Sequence, residues 1–219
     1  MPRTVILDVN ETLSDTAALG DVLAGIGAGA ATPTGWLAAT LRDGFALSLT
    51  TGARPFADVA RQALRVLLAA EPDLEGSVDD GVERVMAAFA ELPVHADVAD
   101  GLRALATAGH RVVTLSNGSA DYARSLLERA GVADAVDAFL SVDDVGVWKP
   151  HRDAYAHALS RTGADAKDCT LVAVHPWDLH GARAAGLGTV HLARASDAWP
   201  DVFEEPDLRI RALTELRLS

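Results

Sequence analysis

Apolar and polar positions change rhythm along the chain, and the changes divide it. Val5-Ile6-Leu7 is an apolar run without alternation, which predicts a strand over residues 3–8 buried on both faces. Residues 14–92 carry helical spacing only. They predict helices over 14–26, 35–48, 56–71 and 79–91, separated by Gly, Pro and Asp breaks. Phe56, Val59, Ala60, Ala63, Leu64 and Leu67 recur at the period that gives one apolar helix face. After Pro93 helix and strand alternate: helix 96–108, strand 111–115, helix 119–131, strand 137–141, helix 152–162, strand 170–175, helix 178–186 and strand 188–192. That alternation predicts an α/β fold, a doubly wound parallel sheet with crossover helices. The core is residues 1–13 and 93–219, and residues 14–92 form an inserted helical cap (lid) domain, expected over the strand ends.

Polar residues with chemical capacity collect where the apolar runs stop. Asp8-Val9-Asn10-Glu11-Thr12 follows the first run, Ser116-Asn117-Gly118 follows Val112-Val113-Thr114-Leu115, and Trp177-Asp178 lies just past Leu171-Val172-Ala173-Val174. Lys149-Pro150 falls between the last two. In open α/β sheets ligands bind outside the carboxyl ends of the strands. Asp8 there is either a covalent nucleophile or a helix cap. Ser116 and Asn117 either hold an anion with nearby backbone N–H groups or cap a helix. Lys149 either pairs with Asp8 and keeps it ionised or is a solvated lysine. Thr12 either orients Asp8 or caps the following segment.

Composition narrows the classes. With 219 residues, 49% of them hydrophobic, the chain can bury a substantial core and carry a large insertion. Its net charge of −12 argues against a nucleic-acid binder, which would need a basic stripe. That charge also repels an anionic substrate, so local positive potential is needed, for which Lys149 is a candidate. The single cysteine, Cys169, allows no internal disulfide, which suits a cytoplasmic location. No signal segment is read before Asp8. Val22–Leu41 is uncharged, but five interrupting Gly and Pro residues favour a helix end, a loop and a new helix over a membrane span.

With Asp8, Ser116, Lys149 and Asp178 in order over nearly the whole chain, the sequence resembles the haloacid dehalogenase superfamily, and within it the 2-haloacid dehalogenase branch. The resemblance implies a Rossmann-like core and an Asp8 nucleophile that forms an aspartyl ester with a small 2-haloacid. Asp178 would orient water, helped by Asn117 or His175, and Lys149 would keep Asp8 anionic. Asn10 stands where the superfamily's phosphatases resemble one another in carrying an acid for the leaving alcohol. An amide cannot serve there, whereas a halide needs no acid. Asn10 is equally suited to a tight turn. Trp177, Gly181, Ala182 and Tyr155 match the dehalogenase branch. Trp36, Arg42, Phe45, Tyr155, His175 and Trp177 are the expected substrate contacts, alongside Asn10.

Three departures stand out. The branch's Ser and Asn before the Trp-Asp pair read Ala173 and His175 here. Its carboxylate-clamping Arg reads Leu37, with Arg42 five residues on as a shifted substitute. His180 is read as structural. The dehalogenase reading requires no cofactor. Its alternatives are a Mg²⁺-dependent phosphatase, with Asp8, Asn10 (through its carbonyl) and Asp178 on the metal, and a weakly catalytic binding or regulatory protein. The partners expected are a small anionic substrate and a second copy of the chain, with no nucleic acid and no membrane.

Overall fold

The structure is a computed structural model and describes residues 3–194 and 197–218. The chain divides into two compact units, Met1–Ser14 with Val94–Ser219, and Asp15–Pro93.

Among the described residues of the first unit, six parallel strands lie in the order β3-β2-β1-β4-β5-β6. They are β1 (Thr4–Leu7), β2 (Arg111–Ser116), β3 (Ala138–Ser141), β4 (Cys169–Ala173), β5 (Gly188–Leu192) and β6 (Leu208–Ile210). Val5 sits between Val112 and Thr170, and Leu7 between Thr114 and Val172. From β1 the chain winds outward to β2 and β3, then returns past β1 to β4. The direction reverses between β1 and β4, and the crevice outside the carboxyl ends there is the usual ligand position of such a sheet.

The helices of this unit are α5 (Val98–Thr107), α6 (Ala120–Arg129), α7 (Arg152–Thr162) and α8 (Pro176–Ala184). Val5, Leu7, Val112, Val172 and Val190 pack on one sheet face with Val98, Leu102, Leu105, Leu126 and Leu127. Each such side chain contributes about 1.5–3 kcal/mol when fully buried. Leu213 packs so closely that a Cβ on Gly101 would lie 2.7 Å from it, which leaves only glycine at that point of α5.

Local chemistry sets the ends. Ser119 accepts the Tyr122 N–H and starts α6. α7 ends at Gly163, whose φ of 64° suits a left-handed cap. α8 opens on Pro176, where a missing N–H costs nothing. β4 stops at Ala173, short of the 175 expected, because the next N–H, from Val174, goes to Thr12 Oγ1 instead of a strand. β6 was not anticipated: it is three residues long and mostly exposed, so it lacks the apolar run that marked the others.

The second unit contains α1 (Ala18–Ala24), α2 (Pro33–Thr50), α3 (Phe56–Leu68) and α4 (Val78–Ala90). α1 starts four residues later than its apolar spacing predicts. The Asp15 side chain accepts the Ala17 N–H, and Ser14 forms an isolated antiparallel bridge with Val94. α2 is capped by Thr32, which accepts the Gly35 N–H, and α4 by Ser77. α3 buries Phe56, Val59, Ala60, Ala63, Leu64 and Leu68; Leu67, expected on that face, is only half-buried. Among the described residues no helix is long and apolar enough to cross a membrane, and Val22–Leu41 spans the end of α1, a loop and the start of α2.

Candidate active site

Asp8 is the first residue past β1, and its N–H still donates to Val172 O as a sheet bond would. The backbone then turns back, with the Leu13 N–H donating to Val9 O. This turn puts Thr12 Oγ1 2.6 Å from Asp8 Oδ2, as donor. The same oxygen accepts the Val174 N–H at 3.1 Å, so one hydroxyl joins the loops after β1 and β4. Glu11 sits at the tightest point, with φ of 61°, a left-handed conformation unusual for a side chain of its size.

Lys149 reaches this point from the turn before α7. Its Nζ lies 2.9 Å from Asp8 Oδ1 and 2.6 Å from Asp178 Oδ2, with no exposed side-chain surface. Burying a charge is costly unless it is paired and hydrogen-bonded, and here one ammonium stands between two carboxylates. Its backbone is held as well. Asn117 Oδ1 accepts the Lys149 N–H at 2.8 Å, and Asn117 Nδ2 donates to the Lys149 carbonyl at 3.3 Å.

Asp178 lies in the first turn of α8 and is wholly buried. Its Oδ1 accepts the Tyr155 hydroxyl at 2.6 Å while Lys149 holds Oδ2. Gly181 makes room for this contact: a Cβ there would come 2.5 Å from Tyr155 Oη and 2.6 Å from Pro150 Cβ. His175, just before Pro176, bridges two acids. Its Nδ1 is 3.2 Å from Asp8 Oδ2 and its Nε2 3.0 Å from Glu11 Oε2. The Trp177 ring lies 5.0 Å from the imidazole.

These contacts set the protonation states. Burial pushes the Asp8 carboxyl up, but Lys149, His175 and Thr12 together outweigh it and hold Asp8 far below the usual carboxylate range. Burial pulls the His175 imidazolium down, yet its bonds to Asp8 and Glu11 prevail and raise it to about 9. Asp178 is raised, by burial first and by the nearby Asp8 charge, against the pull of Lys149. Lys149 is raised: the two carboxylates overcome its burial.

The structure thus brings Asp8, Thr12, Lys149, Asp178, His175 and Asn117 together, with Trp177 beside His175. Ser116, at the end of β2, accepts the Gly118 N–H at 2.8 Å. Asn10 is 9% exposed, and its Oδ1 has no hydrogen-bond partner among the described residues.

Several expectations need correction. Tyr155, expected to touch substrate, is fully buried with its hydroxyl on Asp178, so it positions that carboxylate. Asn117, expected to hold an anion or water, uses both ends of its amide on the Lys149 backbone. Trp36 is a core residue of the helical unit: its indole N–H donates to Ala60 O at 2.8 Å and its ring meets Phe89 edge-on. Leu37 is buried there too. Arg42 is exposed, with its guanidinium on neighbouring Asp43, and Phe45 is half-buried. The Mg²⁺ set does not fit. Asp8 and Asp178 already share the Lys149 ammonium, Tyr155 takes the remaining Asp178 oxygen, and among the described residues no group of three or more His, Cys, Asp or Glu could hold a metal ion.

Sequence reasoning missed Glu11. Its signal was indirect: a histidine beside a buried carboxylate needs a partner for its second nitrogen. It also missed Arg194, just past β5. Arg194 donates to the Thr12 carbonyl from Nε at 3.2 Å and Nη2 at 2.9 Å and pairs with Asp97, whose other oxygen accepts the Leu213 N–H.

Replacing Tyr155 with Phe strips a buried, charged oxygen of its donor. We expect a loss of about 1–3 kcal/mol in stability, read from urea unfolding midpoints. An unchanged midpoint would mean that the bond contributes nothing net.

The chain is similar to known proteins over most of its length. A family model described as haloacid dehalogenase-like hydrolase matches residues 2–186. The (S)-2-haloacid dehalogenase 4A of Burkholderia cepacia is 32% identical over 136 residues, 61% of this chain and 58% of that protein. The (S)-2-haloacid dehalogenase of Xanthobacter autotrophicus is 30% identical over 201 residues, 90% of this chain and 77% of its own length. The alignments with the first three curated relatives thus span only 57–59% of those proteins. Among solved structures, the L-2-haloacid dehalogenase from Xanthobacter autotrophicus superposes with a TM-score of 0.87 at 26% identity, covering 98% of this chain and 96% of that one. The same protein with chloropropionic acid covalently bound superposes equally well.

Proposed function

The chain belongs to the haloacid dehalogenase-like hydrolase family, and on that footing we propose that it hydrolyses the carbon–halogen bond of a small 2-haloacid through an ester on Asp8. The observation that carries this reading is the Lys149 ammonium, buried between Asp8 and Asp178, which keeps Asp8 anionic in a buried site. The 2-haloacid dehalogenases among its relatives and structural neighbours support the substrate class.

The reaction has two halves. Asp8 attacks the carbon bearing the halogen, the carbon–halogen bond breaks with inversion, and the halide departs as an anion. Lys149 and Thr12 hold the carboxylate in line, one on each oxygen. Asn10 faces a leaving group that needs no proton, which is why an amide suffices where an acid would serve an alcohol. The Ser116 hydroxyl, at the end of β2, has the part the resemblance gives it, orienting the carboxylates with Thr12; its oxygen accepts the Gly118 N–H at 2.8 Å. Water then attacks the Asp8 ester carbonyl carbon and releases the 2-hydroxyacid. Asp178 and Tyr155 keep Lys149 positioned throughout. The same reading puts the enzyme in the reducing cytoplasm, which its lone, buried Cys169 suits.

A single turnover in heavy-oxygen water tests the covalent step. Label should enter the Asp8 carboxylate, and the hydroxyl of the product should stay light. Label found only in the product, with Asp8 unlabelled, would falsify the ester.

A further inference from the structure

The second half-reaction needs a base, and the carboxylate nominated by resemblance is not placed for it. Asp178 has no exposed surface, and each of its oxygens is held at 2.6 Å, one by Lys149 and one by Tyr155. A water entering between those contacts would have to break one of them. His175 is in a different position. It is 15% exposed at the side chain, its Nδ1 lies 3.2 Å from Asp8 Oδ2, and its far nitrogen is fixed by Glu11 at 3.0 Å. A carboxylate, an imidazole and a reacting carboxyl group in a row is the arrangement by which a histidine is oriented as a base.

Resting on the ester reading above, we propose that His175, oriented by Glu11, is the general base that takes the proton from the water attacking the Asp8 ester. The Lys149–Asp178–Tyr155 group then serves separately to hold Asp8.

Proton balance supports this division. In the resting enzyme the imidazolium faces two anions, Asp8 and Glu11, and is charged. Alkylation turns Asp8 into a neutral ester and removes one of them. His175 then gives up the Nδ1 proton to solvent, which is the net proton the overall hydrolysis releases, while Nε2–H stays on Glu11. Nδ1 and the ester oxygen are then both acceptors with no hydrogen between them, so their 3.2 Å contact is given up and a water takes its place on Nδ1, passing one proton to it as the water oxygen bonds to the ester carbonyl carbon. The tetrahedral intermediate collapses, the bond to the substrate oxygen breaks, and the remaining proton of the former water passes to the departing alkoxide. Asp8 is again a carboxylate and His175 again an imidazolium. The other titratable groups around this histidine keep their places: His95 bonds the Glu11 carbonyl, His191 on β5 opposes its charge electrostatically, and Lys149 and Asp178 lie beyond Asp8.

The left-handed backbone at Glu11 fits the same picture. A strained turn with a large side chain persists where the surroundings over-determine it. Here the Glu11 N–H is held by Ser14 Oγ at 3.1 Å and the Glu11 side chain is held by His175.

The experiment is rapid-quench single turnover with (S)-2-chloropropionate, following halide release and the mass of the Asp8 peptide, in wild type, His175→Gln and Glu11→Gln. His175→Gln should release one equivalent of halide and stall as the ester, with breakdown slowed by about 10²–10⁴-fold, the usual contribution of a positioned base. Glu11→Gln should break the ester down more slowly than wild type. Its rate should rise with pH about a midpoint lower than the wild-type one, because loss of the anion makes the imidazolium easier to deprotonate. If His175→Gln turns over without accumulating ester, or releases no halide while the wild type does, His175 is not this base. If both variants melt as one unstable species, the wild-type pH profile decides: ester breakdown independent of pH between about 5 and 9 removes a titrating histidine. Absence of halide from the wild type itself is the separate outcome that defeats the dehalogenase reading.

Discussion

Asp8→Asn should release no halide and carry no adduct, a loss of at least about 10⁴-fold, as expected when the nucleophile of a coupled site is removed. The amide keeps the shape of the side chain but lacks the charge that the proposed ester formation needs. The value of this variant lies in what it leaves intact. Lys149 retains Asp178 at 2.6 Å, and His175 retains Glu11 at 3.0 Å, so neither cation is stranded. The fold should therefore survive, with a thermal midpoint close to that of the wild type. Halide electrode traces and melting curves on one preparation separate the two effects. Residual turnover near the wild-type rate would remove Asp8 from the chemistry.

Lys149→Met should fail for a different reason. Its ammonium is the counter-ion of two buried carboxylates, and removing one partner of a buried ion pair costs about 3–5 kcal/mol. For a chain of this size that corresponds to a midpoint lower by about 6–20 °C. The loss should depend on pH in a definite direction. Without the ammonium, Asp178, already raised by burial and the Asp8 charge, loses the partner that opposed that rise, and Asp8 loses the largest of the groups holding it down. Groups raised in this way stabilise the fold below the unfolded pKa and lose that contribution as pH rises through the folded pKa. Wild-type Asp8 is depressed, so its contribution is present above the unfolded pKa and fades as pH falls through the folded one. The stability gap between the two proteins should thus be wide at neutral pH and narrow toward pH 4. Urea unfolding across that range measures it, and a gap that stays constant or widens in acid contradicts the pairing.

Much of this could be seen in the sequence because the sheet is buried on both faces. Strands such as Val5–Leu7 and Leu171–Ala173 must then be continuously apolar, and the first polar residues beyond them mark the rim where ligands bind. Asp8, Ser116 and Asp178 were legible for that reason. Lys149 was legible through its resemblance to the superfamily pattern, but its bridging of both acids was not, since that depends on three segments meeting: the loop after β1, the turn before α7 and the start of α8. β6 was hidden because an exposed edge strand needs no apolar run. Tyr155 was recognised but wrongly matched to the substrate, because spacing along α7 does not reveal that its hydroxyl ends on Asp178. Trp36 was misjudged because an aromatic beside a helix start looks alike in sequence whether it lines a pocket or fills a core. Glu11 was passed over since a glutamate in a polar loop carries no periodic signal, and its role exists only through the histidine 164 positions later.

Arg194 has a consequence for any attempt to shorten or transplant this protein. The stretch recognisable as the family ends at residue 186, yet the guanidinium that grips the carbonyl of Thr12 comes eight positions later. Asp97 couples that grip to the backbone of Leu213, so the tail works as a brace reaching back to the turn that carries Asp8. A minimal version cut at the family boundary would discard the brace along with two strands of the sheet, and a grafted Asp8 loop would need its own arginine from the tail to keep its shape.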